Sequence, residues 1–173
     1  MQEPHLTAAA LLLLIGGTMP AAAETCFRQC LAPRLTDSAI PDDRIRFEMR
    51  RCRDLCEGEA LARVADPVRR RVESCRPEPL SLDEFRAVRG ASPSYVVQSN
   101  AFTWDVRNPL PGKVIREIEI VAQTMDLRDT VMTAAGTVMP GESETLLVAG
   151  FFDGYPNARY ATKVRTIWAC SLD

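Results

Sequence analysis

Cys26-Phe27-Arg28-Gln29-Cys30 and Cys52-Arg53-Asp54-Leu55-Cys56 are two C-x-x-x-C motifs separated by a polar, proline-containing stretch, and their reading decides the fold. Residues four apart share one face of an α-helix, so each pair marks a stripe on a helix. Pro33 ends the first helix. The second begins near Pro41-Asp42-Asp43, where proline suits the first turn and the two acids suit the positive end of the helix dipole. Ile45, Met49, Cys52 and Cys56 then recur at helical spacing, which turns both cysteines of the second helix toward its partner. Cysteines four apart within one helix have parallel side chains, which oppose the torsion of a disulfide. Two antiparallel helices bring the start of one beside the end of the other. The motif pair therefore predicts a hairpin clamped by Cys26–Cys56 and Cys30–Cys52. Each bridge contributes about 3 kcal/mol in the chain-entropy model, which a first helix too short to persist alone requires.

Upstream of the hairpin, Leu6 to Ile15 is an apolar run, broken by Gly16-Gly17 and Pro20 and followed by Ala21-Ala22-Ala23. This is the form of a signal peptide over residues 1–23 with cleavage after Ala23. The run falls short of the roughly 20 apolar residues of a membrane span, so the mature chain is expected to be soluble, exported and periplasmic. Cysteines in such a compartment pair. Cys75 and Cys170 remain after the hairpin is clamped; an internal Cys75–Cys170 bridge is expected, the alternative being one bridge from each to another chain. The single histidine, His5, lies in the predicted signal. The mature chain thus carries no Ser-His-Asp or Cys-His catalytic set and no histidine metal ligand.

Residues 24–90 read as a helical region with nearly balanced charge, which disfavours nucleic acid as a partner. Arg50, Arg51 and Arg53 line the outer face of the second helix, with Arg69, Arg70 and Arg71 further on. One reading makes them a partner-docking patch. The plainer one is ladder pairing at i,i+4: Arg50 with Asp54, Arg53 with Glu57, Glu59 with Arg63, Asp66 with Arg70, and Arg69 with Glu73. Asp66-Pro67 restarts the helix, Arg76-Pro77-Glu78-Pro79 reads as a linker, and Ser81-Leu82-Asp83-Glu84 has the form of a capping box.

From residue 91 the period becomes alternating. Phe102, Trp104 and Val106 share a parity with Val96, and Val114, Ile118 and Ile120 oppose Glu117 and Glu119. Thr145 to Phe152 is apolar at both parities, as in a central strand. Tyr160, Val164, Trp168 and Cys170 share a face in the last run. Short turns at Asn108–Gly112, Pro140–Ser143 and Asp153–Asn157 join these runs. The expected fold class is α+β: a disulfide-bonded α-helical hairpin region over 24–90, then an antiparallel Ig-like β-sandwich over 91–173.

The paired motifs at Cys26/Cys30 and Cys52/Cys56 resemble the twin-cysteine hairpins of the small translocase chaperones of the mitochondrial intermembrane space. That resemblance implies the same bridging pattern and, by analogy, chaperone or assembly work. Thr103-Trp104-Asp105-Val106-Arg107-Asn108, the strand Val114–Gln123 and Val138-Met139-Pro140-Gly141-Glu142-Ser143 resemble the FxLYD-like and other Ig-like domains of bacterial envelope proteins. Such domains imply a binding or spacer module without catalytic residues.

The function that follows is a non-enzymatic binding or assembly module, an accessory or chaperone-like subunit with an envelope protein as partner. No cofactor, metal, small-molecule substrate or membrane span is expected. The first alternative is copper or zinc handling by the four hairpin thiols, with Met125, Met132 and Met139 as further soft ligands. The second is thiol–disulfide exchange, although its usual motif has two residues between the cysteines. Asp105, Asp126 and Asp153 read as ordinary turn residues, and Trp104 and Trp168 as core anchors.

Overall fold

The computed structural model describes residues 24–36, 40–98, 100–123, 128–150 and 161–172. Helix α1 (Cys26–Leu31) is capped by the Thr25 side chain, which accepts from the Arg28 amide, and passes into a 3-10 turn at Ala32–Arg34. Helix α2 (Asp42–Ala62) opens with Asp42 and Asp43 in its first turn. Both predicted bridges join these helices, with Cα separations of 5.8 Å for Cys26–Cys56 and 5.7 Å for Cys30–Cys52. The chain therefore carries a clamped helical hairpin. A third lock is ionic: Glu48, buried on α2, lies 3.5 Å from Arg34 of the 3-10 turn and 2.9 Å from Arg44.

Helix α3 (Asp66–Ser74) follows, but Asp66 is its first residue and no side chain caps it. Asp66 instead pairs with Arg69 one turn on. The expected linker is stitched to the sheet. Glu78–Pro79 forms a two-residue strand, β1, opposite Trp168 and Ala169, where an edge tolerates proline because no ladder donor is required of it. Helix α4 (Leu82–Ala91) carries the full capping box between Ser81 and Glu84.

Six further strands follow among the described residues: β2 (Val96–Gln98), β3 (Ala101–Arg107), β4 (Lys113–Gln123), β5 (Asp129–Val138), β6 (Ser143–Ala149) and β7 (Thr162–Ser171). They form two antiparallel sheets, in the orders β1-β7-β4-β5 and β2-β3-β6. Phe102, Trp104, Val106 and Leu146 from one sheet share a core cluster with Ile115, Ile118, Ile120 and Ile167 from the other, joined by Val88 of α4. Beside β6, β5 approaches so closely that a Cβ on Gly136 would overlap the Leu146 side chain.

Three expectations change with the register. β6 ends its sheet among the described strands instead of lying centrally. Its apolar character at both parities has another cause: Leu146 faces the inter-sheet core, while Leu147 packs with Phe27, Met49, Cys52 and Cys56 beneath the hairpin. Burying Phe27 there is worth about 2–3 kcal/mol. In β7 the pairing shifts so that Glu119 faces Thr166 and Ile120 faces Val164. That shift at Arg165 reverses the parity, so Val164 and Ile167 both reach the core and Trp168 does not. Cys170 still bridges Cys75, tying the last strand to the end of α3. Val96, finally, belongs to β2 and turns toward the hairpin, away from the Trp104 core.

Of the loops read as turns, Asn108 has a larger role than its neighbours. It is fully buried; its Nδ2 donates to the carbonyls of Lys113 (2.7 Å) and Val138 (2.9 Å), and its Oδ1 accepts from the Leu110 amide at 3.0 Å. Its own amide donates to Glu142, and its carbonyl accepts from Gly141. One side chain thereby fastens the β3–β4 turn to the β5–β6 turn. Met125, Asp126, Asp153 and Tyr160 lie outside the described residues.

Candidate interaction surface

The hairpin seats on the outer face of the three-stranded sheet through a polar network as well as the apolar cluster. Thr25 and Thr145 share a 2.6 Å hydroxyl contact, Thr145 donates to Asp105 at 2.6 Å, and Asp105 pairs with Arg28 of α1 at 2.6 Å. Asp105 is thus a tertiary joint. Its place at mid-strand, opposite Thr145, is set by the β3–β6 register. On the other flank, Arg116 is the extra residue of β4 at a register shift against β7, and its guanidinium reaches Glu57 of α2 at 3.1 Å.

Two sizeable concavities lie beside these contacts among the described residues. The first is an apolar cleft of about 360 Å³ between hairpin and sheet edge, walled by Phe27, Leu31, Leu35, Ile45 and Met49 and floored by Val96, Gln98 and Thr103. Strand β2 forms its rim. All three β2 residues are exposed, Val96 at 46% and Val97 at 42%, and β2 pairs on one side only among the described strands. Valine at such exposure on a strand edge is an opening for another chain, since edges are ordinarily blunted by charge or proline. The adjacent Val96-Val97 was visible in the sequence. The cleft was not, because Leu31, Leu35 and Ile45 meet β2 only after the hairpin folds onto the sheet.

The second concavity is a polar groove of about 640 Å³ that includes Thr25, Arg28, Glu59, Arg63, Asp105, Glu142 and Glu144. Glu144 is its buried carboxylate, and burial pushes its carboxyl up to about 7, helped by Glu142 and Glu57 and opposed by Arg63 and the Thr145 amide.

The arginines depart from the ladder reading. Arg50 and Arg51 are exposed, and Arg53 pairs with its neighbour Asp54 at 2.7 Å. None of the five expected i,i+4 pairs forms among the described residues. Glu57 turns to Arg116, and Arg63 to Glu142 at 3.6 Å, because partners fixed by the sheet outcompete exposed ladder pairs worth about 0.3–0.5 kcal/mol. All six cysteine sulfurs are bonded in pairs, which uses the thiols that metal handling requires. Trp104 lies in the core, its Nε1 donating to Pro93 at 2.8 Å, with Arg89 stacked on its ring. No helix among the described residues is long and apolar enough to cross a membrane.

A scan against protein-family models, a search of curated proteins and a search of solved structures each found no match.

Proposed function

We propose that this chain is an exported, non-enzymatic binding or assembly module that works in the periplasm as an accessory, chaperone-like subunit of an envelope complex. Residues 1–23 are its signal peptide, 24–90 its helical region and 91–173 an Ig-like sandwich. Three internal disulfides suit an oxidising compartment, and a core drawn from both sheets suits the sandwich. The observation that carries the reading is the exposed edge of β2 beside an apolar cleft. An extended segment of a partner protein satisfies both features: its backbone pairs with β2, and one apolar side chain per two residues enters the cleft.

A photo-crosslinking residue at Val97, compared with one at Arg50 on the outer face of α2, tests this in cells. Adducts with one envelope protein from position 97, lost when Val96 is replaced by Pro, support strand addition. Adducts from position 50 alone move docking to the arginine face, and turnover of a substrate by purified protein contradicts the non-enzymatic reading.

A further inference from the structure

We propose that Glu144 is a protonation latch between the hairpin and the three-stranded sheet: the C-terminal half of α2 is seated most firmly when this carboxyl is neutral. The geometry starts from burial. Glu144 retains 9% of its surface, pairs with Val106 in the β3–β6 ladder and borders, with Arg53, Cys56 and Glu57 of α2, a small concavity at the edge of β6. Its nearest cation is Arg63 at the end of α2, 3.9 Å away and more than half exposed. Arg63 lies nearer Glu142 of the β5–β6 turn, at 3.6 Å. Glu57, also facing from α2, is engaged by Arg116 at 3.1 Å. Three carboxylates thus converge on two arginines, each held more closely by a carboxylate other than Glu144.

The remaining charged groups do not correct the imbalance. Arg53 is paired to Asp54, and Arg28 to Asp105. Arg107, at the end of β3, and Glu59 of α2 border the same groove with opposite signs. A charged Glu144 therefore carries an under-compensated charge that the groove hydrates only in part, and lifting of α2 completes its hydration. Burial, the leading cause, pushes its carboxyl up to about 7 from an ordinary 4.5. A group that holds its proton more tightly in the seated state makes seating more favourable as pH falls from above 7 toward 4.5. The consequence reaches the cleft, because the same helix supplies Ile45 and Met49 to its wall. The latch itself needs no partner and stands apart from the docking reading.

Hydrogen exchange on the full disulfide-bonded chain tests it, with protection factors corrected for intrinsic rates at pH 8 and pH 5.5. Amides of residues 56–63 are expected to gain protection severalfold at the lower pH, while those in β4 and β7 change less. Glu144→Gln is expected to show the high protection at both pH values. A pH step that persists in Glu144→Gln, or no step in the native protein, overturns the latch. Should that variant fail to fold, carboxyl NMR of the native chain and of Glu142→Gln decides the matter. The native Glu144 midpoint is expected near 7, and removal of the Glu142 charge is expected to lower it. A native midpoint near 4.5, or one indifferent to Glu142, contradicts the proposal.

Discussion

At the residue scale, Asn108 illustrates how one polar side chain holds two turns. Every one of its amide groups has a partner, all three partners are backbone atoms, and the Val138 carbonyl among them is buried and has no water to fall back on. Asn108→Ala leaves the carbonyls of Lys113 and Val138 without this donor. The expected loss is about 2–3 kcal/mol in stability, since each orphaned buried group costs roughly 1–3 kcal/mol; denaturant unfolding measures it. The sequence showed Asn108 as the opening of an Asn-Pro turn and nothing more. Its burial comes from a contact with Val138, far along the chain. Asp105 is similar, because the hairpin above it supplies Arg28. Residues whose partners arrive from distant elements look ordinary to any local reading.

Elements were more legible, for reasons that differ among them. The hairpin is a local structure: cysteine spacing, Pro33, Pro41 and the acidic first turn all act within a few residues of where they stand. The capping box at Ser81 and Glu84 is equally local. Strand parity read correctly over Phe102–Val106 and failed in β7, since the shift opposite Glu119 is set by the neighbouring strand and leaves no mark in the β7 sequence. The two-sided apolarity of β6 was visible, but its cause, a hairpin covering one face, required tertiary knowledge. Because the bridges act as clamps, Cys30→Ala with Cys52→Ala is expected to lower stability by about 3 kcal/mol in the chain-entropy account. The bridge closes a separation of 22 residues. Calorimetry of this variant, beside one lacking Cys26 and Cys56, checks the value. A clamp also predicts that partner capture at β2 weakens in proportion to lost stability and does not vanish as it would with a missing catalytic step.

At the scale of the whole molecule, the disulfides, the polar joints and the shared clusters seat the hairpin on one sheet so that its free end walls a cleft beside β2. Cys75–Cys170 anchors the far end of the helical region to β7. Such a scaffold presents an edge and a groove held by covalent bonds, which lowers the ordering cost of docking. Amide exchange read by NMR tests the proposed addition of a partner segment to β2. With a peptide from the crosslinked partner bound, slowed exchange is expected at alternate β2 amides within Val96–Gln98, together with methyl shifts at Leu31, Leu35, Ile45 and Met49. Binding that leaves β2 exchange and these methyls unchanged contradicts the account.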